Sequence, residues 1–136
     1  MNHKQVLQPA GWAAPRGYAN GVAASGRLVF VAGQIGWNER CEFDSDDFIA
    51  QVRQALLNVR AVLAEGGAGP EHIVRMTWYL LDKREYIARG REVGQAYREV
   101  LGRDYGIAMS AVQVSALMED RAKVEIEVTA VVPAGG

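Results

Sequence analysis

The chain has 136 residues, 49% of them apolar and 23% charged, and its 15 Lys and Arg against 16 Asp and Glu leave a net charge of -1. A chain of this length buries roughly two-thirds of its unfolded surface, which predicts one domain spanning 1–136. The near-neutral charge lacks the basic excess that neutralises phosphates, and the longest apolar run, residues 28–32, is far short of the ~20 needed to span a bilayer, so neither nucleic acid nor membrane is an expected partner. No apolar segment follows Met1-Asn2-His3-Lys4, and Cys41 is the only cysteine. The expectation is a cytoplasmic protein without a secretory signal, an intrachain disulfide, a metal or a cofactor.

Two short apolar runs, 18–24 and 27–32, flank Ser25-Gly26 and predict a hairpin. From Asp46 the period becomes helical: Phe48, Ile49, Val52, Leu56, Val59 and Leu63 form one stripe. Asp44 or Ser45 is the expected N-cap, and Gly66-Gly67 with Pro70 the stop. A strand over 72–81 follows, with Val74, Met76, Trp78 and Leu80 on one face and Ile73, Arg75, Thr77 and Tyr79 on the other. Asp82 caps a second predicted helix, 84–101, in which Tyr86, Val93, Tyr97 and Val100 face inward. Gly90 and Gly94 each cost about 1 kcal/mol of helix propensity, and the expected compensation is close approach to the sheet. Two further strands, 110–116 and 123–132, close the chain. In the last, Val124, Ile126, Val128, Ala130 and Val132 point inward, with Glu125 and Glu127 opposite. Two helices cover only one face of such a mixed sheet. The other face, carrying Glu125, Glu127, Thr77, Tyr79 and Gln113 with Ile73 and Val131, calls for water or, preferably, a partner subunit.

The order of these motifs resembles the RidA/YjgF family, the reactive-intermediate deaminases often labelled L-PSP endoribonucleases. The resemblance runs from Tyr18 to Val132. It is carried by Gly17-Tyr18, by Leu28-Val29-Phe30-Val31-Ala32-Gly33-Gln34 and by Gln51-Val52-Arg53-Gln54-Ala55-Leu56-Leu57-Asn58. Val74-Arg75-Met76-Thr77-Trp78-Tyr79, Ser110-Ala111-Val112-Gln113-Val114 and Lys123-Val124-Glu125-Ile126-Glu127 continue it. The resemblance implies a chorismate-mutase-like α+β fold, with a mixed sheet and two helices on one face. It also implies a trimeric barrel of identical chains, with small-molecule pockets at the subunit interfaces.

The same resemblance assigns site residues and exposes two departures. Imine-hydrolysing members carry an Arg just before the Ser of the penultimate strand, whose planar fork grips a substrate carboxylate. Here Met109 precedes Ser110, and a thioether offers neither charge nor donor. A frequent Asn of the second helix is replaced by Gly94. Glu125 matches the pocket carboxylate, able to orient an attacking water and shuttle its proton, or is a solvated interface glutamate. Tyr18 either hydrogen-bonds a ligand or packs with a wet hydroxyl. Gly33 and Ala111 would act through backbone groups. Arg16 is either a replacement cation or a solvated loop residue, and Arg75 an interface or surface residue.

Other chemistries find little footing. His3 and His72 have no Ser or Cys at a diagnostic spacing. Cys41 is a loop thiol more readily read as a bystander than as a nucleophile. Trp12, Trp37 and Trp78 are scattered rather than arranged as a base-stacking platform, so RNA cleavage has no physical support. Two functions remain. One is hydrolysis of a small imine, enamine or related electrophile, less acidic or more apolar around Met109 than the usual 2-imino acid. The other is a non-catalytic homotrimer that binds a small metabolite or regulates a partner.

Overall fold

The computed structural model describes residues 4–134; His3 lies outside them. Six strands and three helices follow one another as β1 (Lys4–Leu7), β2 (Gly21–Ala24), β3 (Arg27–Ile35), α1 (Phe48–Glu65), β4 (Ile73–Leu80), α2 (Lys83–Ala88), α3 (Gly90–Leu101), β5 (Ala108–Gln113) and β6 (Val124–Val132). A 3-10 turn, Pro70–His72, leads into β4. The main sheet has the order β3-β6-β4-β5, with β6 antiparallel to both β3 and β4 and β5 parallel to β4.

The core is the stripe of α1 laid on this sheet. Val52, Ala55, Leu56, Val59 and Leu63 are fully buried, as are Ile73, Met76, Val124, Ile126 and Ala130 beneath them, and Val93, Ala96, Tyr97, Val100 and Leu101 of α3 complete the cluster. Gln51 is buried beside it with both ends of its amide satisfied. Its Nε2 donates to the carbonyls of Ser45 and Arg121, and its Oε1 accepts from the Lys123 N–H. One side chain therefore ties the start of α1 to the entry of β6, at no cost in unpaired polar groups.

Several expectations need correction. No hairpin joins β2 to β3: β2 pairs with β1, a strand that the sequence pattern does not predict, while β3 pairs along β6. Gly26, at φ 148°, turns the chain hard against the Val132 carbonyl, so the two runs enter different sheets. The N-cap of α1 is Asp47, whose carboxylate accepts from the Ala50 N–H at 3.0 Å, rather than Asp44 or Ser45; the Ser45 hydroxyl accepts from the Asp47 N–H just ahead of the helix. Ile73 belongs to the core face, because the β4–β6 register shifts between Ile73 and Arg75 and this bulge rotates the start of the strand. Gln113, in register with buried Leu80, lies on the helix side, where its Oε1 accepts from the Lys83 N–H. The predicted second helix is two helices, broken at Arg89 (φ -104°, ψ 28°).

That break is held by charge. The Arg89 guanidinium binds Asp47 at 2.9 Å, Glu92 at 2.8 Å and Glu85 at 3.7 Å. Hydrogen bonding to Arg89 pulls the Asp47 and Glu92 carboxyls below their ordinary values of 3.8 and 4.5. A lowered carboxyl stabilises the fold above its unfolded pKa and loses that contribution as pH falls through the folded one. Arg89→Met is therefore expected to melt below the parent near pH 7, and the two curves to converge only as pH falls below the ordinary carboxyl range and through the lowered folded values. In the core, Leu56→Ala is expected to cost about 2–5 kcal/mol in urea unfolding, since α1 cannot collapse into the void.

Candidate functional site

The strand order leaves β5 at the sheet edge, and a cavity of about 370 Å³ opens between β4, β5 and the α2–α3 pair. Each wall is positioned by a local device. The Ala19 N–H donates to the Ile107 carbonyl at 2.8 Å, and Ala19 bridges Ala108 in parallel fashion, which sets Arg16, Gly17 and Tyr18 at the cavity beside Met109. Met109 is in register with Met76 and packs on the edge of the core. Tyr97 donates from its hydroxyl to the Asp104 carbonyl at 2.9 Å, and Tyr105 stacks on Tyr97 at 5.3 Å between ring centroids. The Asp104 carboxylate accepts from the Gly106 N–H and pairs with the buried Lys4 ammonium at 3.0 Å, and Lys4 also donates to the Ile73 carbonyl. Strand β1 thus anchors the loop that carries Tyr105.

The electrostatics of this cavity are one-sided. Two guanidinium groups, Arg16 and Arg98, line it, and among the described residues no carboxylate does. Burial pushes the Tyr86 and Tyr97 phenols up, so both remain neutral donors. Trp78, which meets Tyr86 edge-on at 5.9 Å, is 1% exposed, and its indole N–H has no acceptor among the described residues. The expectation for Gly90 and Gly94 is overturned. A Cβ on Gly90 would meet nothing within 4 Å, and one on Gly94 would meet only the Arg98 guanidinium, with Nη1 at 3.1 Å. These glycines, one turn apart on the same helix face, hollow out the cavity and do not bring α3 closer to the sheet.

The opposite face of the sheet holds the other predicted residues. Glu125, on β6, is in register with Tyr79 and Ile35. Its carboxylate lies over Gly33, where any side chain would collide with it, at the irregularity between Val31 and Gln34 in β3. Neighbouring Glu127 accepts from the Tyr79 hydroxyl at 2.5 Å, a bond that raises the Tyr79 phenol. The Glu125 carboxylate has no hydrogen bond among the described residues. Ser110 is in register with Thr77 on this face, whereas Ala111 is in register with Trp78. Phe30, Arg75, Thr77, Glu127 and Thr129 border a concavity of about 450 Å³ here, and Phe30 and Leu28 are 70% and 56% exposed.

Within one chain, then, Arg16, Tyr18 and Met109 meet at one cavity, while Gly33, Glu125 and Ser110 lie on the other side of the sheet. Sequence reasoning does not find Arg98, Tyr105 or the cavity role of Tyr86, Tyr97 and Trp78. The readable signal was Arg98 standing four residues after Gly94, on one helix face. His72 is occupied in its turn, its Nδ1 accepting from the Gly69 N–H. Cys41 is exposed at φ 60°, and Trp37 packs on Phe43. Among the described residues no three His, Cys, Asp or Glu side chains are grouped to hold a metal, and no helix is long and apolar enough to cross a membrane.

Comparison with known proteins agrees with this architecture. The family model described as Endoribonuclease L-PSP matches residues 10–132. A RutC family protein from Synechocystis is 33% identical over 131 residues, covering 95% of this chain and 97% of its own. Protein DfrA of Myxococcus xanthus is 37% identical over 111 residues, 79% of this chain and 78% of its own. Among solved structures, the Rid-family protein YyfB of Yersinia pestis superposes with a TM-score of 0.83 at 32% identity, covering 97% of this chain and all of its own. TdcF of E. coli with bound serine superposes at 0.68 and 28% identity, over 94% and 98% of the two chains. The fold, the family match and the relatives together make this chain a member of the Rid/YjgF/UK114 family, which also goes by the description Endoribonuclease L-PSP.

Proposed function

We propose that the protein is a small-molecule hydrolase acting on an imine, enamine or related electrophile at a seam between identical chains, three of which close a barrel. The observation that carries this reading is the division of the site. The cavity of Tyr18, Arg16 and Met109 and the carboxylate of Glu125 over Gly33 sit on opposite faces of one sheet, so one chain cannot offer both to one ligand. A second copy, its open face turned to the first chain's β5 edge, would supply the missing half. The exposed Phe30 and Leu28 give that face apolar surface worth burying. Serine bound to TdcF supports a ligand of amino-acid size in this fold.

The chemistry follows from which groups are unengaged. Glu127 is tied to Tyr79, whereas the Glu125 carboxylate makes no hydrogen bond among the described residues and can accept one from water. In this role Glu125 takes a proton from water as its oxygen adds to the C=N carbon and passes that proton to the imine nitrogen, giving a carbinolamine. It then takes the carbinolamine hydroxyl proton and delivers it to the amine nitrogen as the C–N bond breaks, so ammonia leaves and a carbonyl remains. Ser110 on the same face, and the backbone of Gly33 and Ala111, provide polar groups for the ligand, and Tyr18 a phenol from the other half. A non-catalytic metabolite-binding trimer is the second reading, favoured by one specific observation: Met109 stands where the family's hydrolases place a guanidinium, and it is partly buried against the core.

The two readings separate by assay. Freshly generated 2-iminopropanoate is expected to be hydrolysed little faster than in buffer, and Met109→Arg to raise the rate by at least about tenfold, the worth of one charge-assisted hydrogen bond. On a panel of bulkier imines and enamines the parent is expected to turn over at least one, with Glu125→Ala inactive. Silence across the whole panel would leave only the binding reading. Light scattering is expected to give about 44 kDa, three chains of 14.8 kDa, and a monomer would remove the seam.

A further inference from the structure

We propose that Arg98 is the anion anchor of the α3 cavity, and that the cavity takes a carboxylate carrying a planar, apolar body. This inference rests on the cavity being the ligand site, but not on its being catalytic. The first observation is the charge of the lining. Arg16 and Arg98 contribute donors only, Trp78 adds a buried indole N–H without an acceptor among the described residues, and no Asp or Glu lines the space to satisfy any of them. A donor-rich, acceptor-poor cavity is complementary to an acceptor-rich ligand.

The second observation is how Arg98 is held. It is half-buried, and its guanidinium forms no hydrogen bond or ion pair among the described residues, Glu99 acting on it only through longer-range electrostatics. Of the other arginines of this helical layer, Arg84 and Arg91 are exposed, Arg53 pairs with Glu99, Arg60 donates to the Val100 carbonyl, and Arg89 is tied to three carboxylates, so Arg98 combines partial burial with a guanidinium that no partner among the described residues takes up. Beyond the helix's own backbone, a Cβ built on Gly94 would meet only the Arg98 guanidinium within 4 Å among the described residues. Glycine at that position, at a cost in helix propensity of about 1 kcal/mol, leaves the guanidinium lying back over the turn and facing the cavity. Arg16 is the weaker candidate, since it is exposed and borne on a loop.

The third observation is the shape of the remainder. The Tyr97–Tyr105 stack, the Trp78–Tyr86 edge contact and the Met109 thioether offer flat, polarisable walls. A single planar fork fits a carboxylate in bidentate fashion. The charge of this space thus comes from α3, while the β5 wall at Met109 is apolar. A ligand held by Arg98 with its body across Met109 is bulkier than a three-carbon imino acid, which would leave most of about 370 Å³ empty.

Calorimetric titration of the full chain with phenylacetate and its neutral isostere phenylacetamide tests this without any need for turnover. Phenylacetate is expected to bind about tenfold or more tightly than the amide. Arg98→Met is expected to erase that preference while leaving amide binding in place, and Arg98→Lys to retain part of it. Gly94→Ala, whose Cβ crowds Nη1, is expected to weaken phenylacetate selectively. Retained preference in Arg98→Met, loss in Arg16→Met instead, or binding of neither probe overturns the proposal. Arg98-dependent binding in a protein inactive on every imine would sink the hydrolase and keep the anchor. Turnover with no Arg98-dependent binding would do the reverse.

Discussion

Everything in this molecule is arranged by a sheet that one helical layer covers on one side only. The stripe of Val52, Leu56, Val59 and Leu63 on α1 commits one face of β3, β6 and β4 to the core. Strand alternation then leaves no choice for the neighbours: residues in odd and even register face opposite ways. Met109 falls on the helix side with Met76, and Ser110 on the open side with Thr77. Adjacent residues that a motif joins in sequence are thus handed to two different surfaces, which is why the functional reading turns on how copies of the chain meet.

The α3 cavity is built from long-range contacts although its lining looks local. Lys4 in the first strand reaches Asp104, whose carbonyl accepts from Tyr97, and Tyr105 stacks on that same ring. Arg89 ties the start of α3 to the N-cap of α1 through Asp47. Removing charge at these sites would disturb the cavity without touching its lining, because the α2–α3 break and the loop before β5 are both held electrostatically. Polar groups used in this way keep the walls rigid where a ligand needs a preformed shape.

Met109 and Gly94 are coupled through the space that they share. A side chain on β5 without charge and a glycine on α3 look in sequence like two independent losses. In the structure they are neighbours of one space, with Arg98 filling what Gly94 vacates. The positive charge around this space comes from α3 and from the loop bearing Arg16, while β5 presents the Met109 thioether.

The amino-acid pattern by itself determined the parts ruled by short-range physics. The 3.6-residue stripe of α1, the Asp82 cap, the Gly66 stop and the alternation of β6 from Val124 to Ala130 are all legible, and so is the family. Tertiary structure alone decided what depends on pairing and break points. It set β2 against β1 instead of β3, turned Ile73 inward at a bulge, and split the second helix at an arginine held by three carboxylates. It also gathered Arg98, Tyr105 and Trp78 around a cavity. Periodicity reports which face of an element is apolar, but not which element lies opposite, and a pocket exists only in that second relation.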